Sequence, residues 1–386
     1  MRIVTWGTYD LGKPRVRIML QGLRAAGIEV VECHVDLWSG VEDKSQIKGK
    51  WSKLKFVLRW LAAYPALVFR YLRTGRHDAV LVPYLGQLDV LVLWLFAKLR
   101  GKPIVWDAFL SLYNTVVEDR KLVGRHNPVA YLVYAWEWLA CRAAAQVVLD
   151  TAAHGRYFVE RFHLNPARVQ RVFVGVEPLA FPAASDAQRD VSRDSDNTLV
   201  LFYGQFIPLH GIETIIRAAR LMRDEAVSWV LIGSGQQEGY IRQMLEEQPL
   251  EKVEWIPWVQ YEELVHWIHR ADVCLGIFGA SQKTAMVIPN KAYQVLSAQR
   301  PLITADTPAI RELISPDPPC IYLVPPDQPE ALCDAVRSFR SWQPASDDEP
   351  CGPRLQAIKE RFSIAAIGAD LEAILRSALT KAKDVR

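Results

Sequence analysis

Short apolar runs alternate along the chain with longer segments whose apolar positions recur every three or four residues, and glycine or polar residues mark the joins. Thr198–Tyr203 (TLVLFY) has the pattern of a buried strand and stops at Gly204-Gln205. After the turn ending at His210-Gly211, an amphipathic helix reads IETIIRAARLM. Ser228–Ile232 is a second strand, closing on Gly233-Ser234-Gly235, and Val273–Phe278 is a third, followed by a loop bearing glycine and Lys283. A helix opening at Pro289 (IPNKAYQVLSAQ), then PLITA and TPAIRELI, complete the series. The N-terminal half alternates likewise. Strands are expected at 2–7, 28–35, 79–84, 103–107, 146–150 and 169–174, with helices between them at 14–26, 127–145 and 152–162 among others. Alternation of this kind predicts parallel sheets with helices on both faces, with ligands held beyond the carboxyl ends of the strands.

The polar stretch 183–197 is expected to link two domains, 1–182 and 198–352, and helical patterns at Arg354–Phe362 and Ile364–Lys381 fill the terminal segment 353–386. A chain of 386 residues is long enough for two such cores.

Composition changes this picture in three places. The net charge of +3 is too small to argue for nucleic acid, yet nine Lys or Arg and no Asp or Glu fall between Lys44 and Arg76. There Trp, Leu, Phe and Val alternate with the cations at roughly helical spacing, which suits an anionic membrane surface with Trp51 and Trp60 at the boundary. Leu54–Leu72 and Ala79–Leu99 are both interrupted by charges or prolines and are too broken to span a bilayer. The six cysteines are scattered without metal-ligand spacing and are expected as buried free thiols. Because 1–7 already reads as a strand, no leader is expected, which points to the cytoplasm, at most peripheral to the membrane. His266 and His269 have no ligand cluster around them, and no Ser-His-Asp pattern appears.

The residues at strand ends carry the candidate chemistry. Gly204-Gln205 and His210-Gly211 place backbone N–H groups and a helix start where a phosphate is welcome. Gly233 and Gly235 form a similar loop. Lys291, with Asn290 beside it, stands in the first turn of a helix, where a cation is disfavoured unless an anion is bound too. In the first half, the loop Gly7–Pro14 contains Gly12, where backbone can approach a ligand closely, and Arg15 and Arg17 follow at a helix start. Asp107 ends the strand PIVWD, and Asp150 ends the next strand.

The order GQF…HG, GSG, GIFG, IPNK, PLIT and TPAIREL resembles the nucleotide-sugar half of GT-B glycosyltransferases, in particular glycosyltransferase family 4 (group 1). The resemblance implies an α/β fold of two doubly wound Rossmann-like domains facing a cleft, with the C-terminal helices packed back on the first domain. It implies sugar transfer from a nucleotide diphosphate to a hydroxyl acceptor, such as a lipid-linked or cell-surface glycan intermediate, with retention and without a metal or other cofactor. Gly204, Gln205, His210, Gly233, Gly235, Lys283, Asn290, Lys291 and Gln294 then fall on the donor side. Asp107 falls at the reacting centre, and Gly12, Arg15 and Glu177 on the acceptor side. The chain departs from the family at four positions. Gln205 and His210 stand where an Arg and a Lys are usual, and Met286 and Gln294 where two glutamates are usual. These departures leave two alternatives beside the transferase reading, a nucleotide-sugar epimerase and a non-catalytic homologue that serves as a binding scaffold.

Overall fold

A computed structural model describes residues 1–38, 50–177, 179–183, 197–342 and 351–384. The chain divides into two compact units. The first comprises Met1–Gly175 with Ile364–Arg386, and the second Val176–Ser363. Most of the expected 183–197 linker, the start of the basic segment (44–49) and most of the loop after Trp342 lie outside the described residues.

The first unit is a six-stranded parallel sheet of β1 (Arg2–Gly7), β2 (Glu29–His34), β3 (Ala79–Val82), β4 (Ile104–Phe109), β5 (Gln146–Leu149) and β6 (Val169–Arg171). Their order in the sheet is β2-β1-β3-β4-β5-β6. The connecting helices are α1 (Pro14–Ala25), α2 (Lys50–Arg73), α3 (Gln87–Leu99), α4 (Pro128–Ala143) and α5 (Ala152–Phe162). Right-handed crossovers put α2, α3 and α4 side by side on one face of the sheet, because β2 to β5 advance in one direction. The step from β1 to β2 runs the other way and puts α1 on the opposite face.

The second unit repeats the plan with β7 (Thr198–Tyr203), β8 (Val227–Ile232), β9 (Val253–Ile256), β10 (Val273–Leu275), β11 (Leu302–Ala305) and β12 (Ile321–Val324). Its order is β12-β11-β10-β7-β8-β9, again parallel. Its helices are α6 (Ile212–Leu221), α7 (Glu238–Glu247), α8 (Tyr261–Arg270), the short α9 (Gln282–Met286), α10 (Asn290–Ser297), α11 (Pro329–Ser341) and α12 (Gly352–Glu360). Val200, Phe202, Ile215, Trp229, Leu275, Ile303 and Leu332 are among the side chains that close its core.

Both sheets are the expected doubly wound kind. The strand at 253–256 and the one at 321–324 escaped the sequence pattern, being four residues each with polar or half-exposed positions. TPAIRELI holds only a single helical turn, Ile310–Glu312.

The last two helices part company. The final one, α13 (Ile364–Asp384), packs along α1 in the first unit, where Ile367, Leu371, Ile374 and Leu375 join Ile3, Ile18, Leu81 and Val105 in one core. The preceding α12 packs on α10 in the second unit, not on the first as the resemblance implied. The α1–α13 contact is backbone against backbone. A Cβ on Gly368 would lie 2.2 Å from the Gly22 carbonyl oxygen, and one on Gly22 would lie 2.9 Å from the Gly368 nitrogen. The thiol expectation also needs a correction: Cys320 and Cys351 are disulfide-bonded across the start of α12, while Cys33, Cys141, Cys274 and Cys333 are free and buried.

Candidate functional site

In a doubly wound sheet the strand order reverses at one point, and the crevice beyond the carboxyl ends there is where ligands bind. In the second sheet that point lies between β7 and β10. The loop after β7 carries Gly204, Gln205 and His210, and the loop after β10 leads to α9 and α10. The two loops are stitched together: the Phe278 N–H donates to the His210 carbonyl at 3.1 Å and the Gly279 N–H to the Leu209 carbonyl at 3.3 Å. Only glycine fits at their contact, since a Cβ on Gly279 would lie 2.4 Å from the Pro208 carbonyl oxygen.

Beneath the end of β7 lies Lys291, buried, with its Nζ 3.6 Å from the centre of the Phe202 ring and without a hydrogen-bond partner. A Cβ on Gly204 would sit 3.1 Å from that ammonium nitrogen and 3.2 Å from Cε1 of His210. Gly204 (φ 136°) is therefore the thin cover over a charged group, with His210 beside it. Burial pushes the Lys291 amine well below its ordinary range, and no group among the described residues offsets that effect. The His210 imidazole is also pushed well down, first by burial and then by Lys291. His210 Nδ1 donates to the carbonyl of Gln205, so the neutral ring directs its lone pair to Nε2. Two titratable nitrogens, both biased toward neutrality, thus flank one partly exposed glycine. An anion there supplies the missing counter-charge to both.

The other expected donor residues are distributed around this point. Gln294, three residues along α10, accepts from the Tyr203 hydroxyl at 3.0 Å, and the same hydroxyl lies 3.3 Å from the Lys291 carbonyl oxygen. Tyr203, unremarked in the sequence pattern, thereby locks α10 to β7. Gln205 and Asn290 are exposed at the rim. Lys283 lies in the short helix α9, which Ser281 caps through the Thr284 N–H, not in an open loop. Met286 is buried. Gly233 and Gly235 serve their own chain. A Cβ on Gly233 would lie 1.9 Å from the Gly204 carbonyl oxygen and one on Gly235 2.9 Å from the Phe206 nitrogen, so both let the β8 loop close against the β7 loop. The structure thus brings together Gly204, His210 and Lys291, with Gln294 behind them.

In the first unit the expectation for Asp107 is corrected. Its carboxylate is fully buried, and Arg15 grips both oxygens, Nη2 at 2.7 Å from Oδ1 and Nε at 2.9 Å from Oδ2. Arg15 also donates to the Val172 carbonyl. The pair ties α1 to β4 and β6, and neither residue is presented to a ligand as a base or an anion site. Gly12 is exposed, its N–H turned to the Asp10 carboxylate at 2.8 Å. Glu177 is half-buried and belongs to the second unit. Asp150 does not cap α5: Thr151 does, while Asp150 holds His154 Nδ1 at 2.8 Å. The reversal point of the first sheet, between β1 and β3, is filled by the protein itself. The Thr8 N–H and the Tyr64 hydroxyl donate to Asp89 at 3.1 and 2.7 Å. Burial pushes the Asp89 carboxyl up to about 6. Neither Thr8 nor Asp89 had a sequence signal, since each matters only through the other, 81 positions away.

Residues 197–340, which carry the β7–β10 site, match the family model described as glycosyl transferases group 1. The D-inositol 3-phosphate glycosyltransferase of Thermobispora bispora is 27% identical over 183 residues, which are 47% of this chain and 40% of that protein. The chain spans less than two thirds of the length of the curated relatives it matches first. Among solved structures, Anabaena Alr3699/HepE in complex with UDP aligns with 98% of this chain and 100% of its own, at TM-score 0.64 and 13% identity. Sucrose-phosphate synthase from Thermosynechococcus elongatus aligns with 99% and 100%, at TM-score 0.68 and 16% identity. The fold is therefore GT-B, two doubly wound α/β units in one chain. The second unit is similar to group 1 glycosyl transferases over residues 197–340.

Proposed function

We propose that the protein is a glycosyltransferase whose second unit binds the diphosphate of a nucleotide sugar over Gly204, between His210 and Lys291. The observation that carries this reading is the buried, unpartnered Lys291 ammonium at the reversal point of a sheet whose domain matches group 1 glycosyltransferases. A bound diphosphate favours the charged forms of both nitrogens, and in a site with little water these then stabilise the charge that develops on the leaving group. The acceptor is a hydroxyl of a glycan or lipid-linked intermediate, the sugar keeps its anomeric configuration, and the enzyme works at a membrane surface. Two relatives support this reading: the Anabaena protein is seen in complex with UDP, and the Thermobispora protein is a D-inositol 3-phosphate glycosyltransferase.

A second reading has one specific observation behind it. With Asp107 locked to Arg15, the residue expected at the reacting centre is spent on structure, which favours a donor-binding homologue without turnover. Calorimetry and thermal shift against UDP, GDP, TDP and their sugars test both. The transferase reading expects saturable binding of one nucleotide, weakened at least about tenfold in Lys291→Ala, the cost of one charge-assisted contact. Binding without sugar release or transfer to any acceptor supports the silent homologue, and no binding at all removes both.

A further inference from the structure

Helix α2, in the described part of the basic segment, is only one third of a larger feature. Helices α2, α3 and α4 lie side by side on one face of the first sheet, and their outward sides are apolar in all three. On α2 these are Trp51, Leu54, Leu58, Leu61, Phe69 and Leu72. Trp94, Leu95 and Leu99 continue the face on α3, and Tyr131, Leu132 and Leu139 on α4. This α2 stripe is separate from the one that holds the helix to the sheet, where Tyr64, Leu67 and Tyr71 are buried. Exposed apolar side chains gathered on three neighbouring helices mark an interaction site.

Charge identifies the partner. The three helices contain two acidic residues, Asp89 and Glu137, and both are turned inward and consumed. Asp89 accepts from Thr8 and Tyr64, and Glu137 from the Ser111 hydroxyl and the N–H groups of Leu112 and Tyr113. What remains on the outside is cationic, with Lys55, Arg59, Arg70, Arg73 and Lys98 exposed. Aromatic rings and cations also pair on each helix: Arg73 over Phe69 at 4.0 Å, Lys98 over Trp94 at 5.0 Å and Arg142 over Trp138 at 3.5 Å. A surface that is apolar and purely cationic repels a second copy of itself, whereas an anionic bilayer offers headgroups to the cations and acyl chains to the leucines. No described helix is long and apolar enough to cross a membrane.

We propose that α2, α3 and α4 together form one docking face for an anionic lipid bilayer, which rests on the proposed work at a membrane surface and widens the contact expected of the basic segment from one helix to three. The test is co-sedimentation of the full chain with vesicles of phosphatidylcholine alone or with about one third phosphatidylglycerol. The proposal expects binding to the anionic vesicles that weakens with salt. It expects Leu58→Glu on α2, Leu95→Glu on α3 and Leu132→Glu on α4 each to lower the partition coefficient at least about tenfold. All three positions are at least half exposed, so the variants should melt with the parent; Leu221→Glu on α6, equally exposed in the other unit, should bind as the parent does. Sensitivity to Leu58→Glu alone, binding to neither vesicle, or a concentration-dependent dimer abolished by the same variants would each overturn it. No nucleotide is present in the assay, so its failure leaves the donor site untouched.

Discussion

Lys291 is a cost to the free protein. A buried amine without a hydrogen-bond partner, pushed toward its neutral form, destabilises the fold by about 1–3 kcal/mol, so Lys291→Met should raise the melting temperature by a few degrees while abolishing nucleotide binding. The sign with pH follows from the lowered amine. The unfolded chain binds the extra proton up to the ordinary value of 10.5, so parent stability rises as pH approaches that value. The gain from Lys291→Met should therefore shrink over the alkaline range as pH rises toward 10.5, measured as paired melting curves. A gain unchanged across that window means that the amine is not the source of the cost. At this scale the sequence was informative where chemistry is local. A lysine in the first turn of a helix already pointed to an anion, because the helix dipole makes it anomalous alone. Asp107 misled because a strand-terminal carboxylate looks the same whether it faces a ligand or an arginine 92 positions earlier, and only the fold brings that arginine to it.

Among elements, the contact of α1 with α13 is the most exacting. Gly22 and Gly368 let the two backbones touch, so Gly368→Val must push the helices apart, at a cost of at least about 2–3 kcal/mol in overpacking and lost contacts. Urea unfolding of the variant should show this as a lower midpoint. Gly239→Ala in α7, with open space around it, should be neutral or slightly stabilising. An unchanged midpoint for Gly368→Val would mean that α13 is dispensable to the first unit. Strands such as TLVLFY and helices such as IETIIRAARLM were legible because burial on both faces, or on one stripe, leaves its period in the chain. Val253–Ile256 was not, since four residues at a sheet edge with Glu254 exposed carry no period long enough to read. The split between α12 and α13 was equally hidden, because their partners lie in different units, far along the chain.

For the molecule as a whole, the first unit is assembled from two distant parts of the chain. Ile367, Leu371, Ile374 and Leu375 fill its core, and at about 1.5–3 kcal/mol per buried side chain they account for roughly 6–12 kcal/mol, close to the net stability of a domain. A chain ended after Ser363 should therefore lose hydrogen-exchange protection across β1–β6 while β7–β12 keep theirs, together with any nucleotide binding. Protection retained in β1–β6 would show that α13 only decorates the sheet. The same discontinuity sets a timetable. On the ribosome, β6 emerges about 190 residues before α13, which at about 5–20 residues per second is a wait of about 10–40 s. Through that interval the face formed by Ile3, Leu81, Val105 and Val148 has only α1 to cover it, so the second unit is complete while this apolar face of the first still lies open to water.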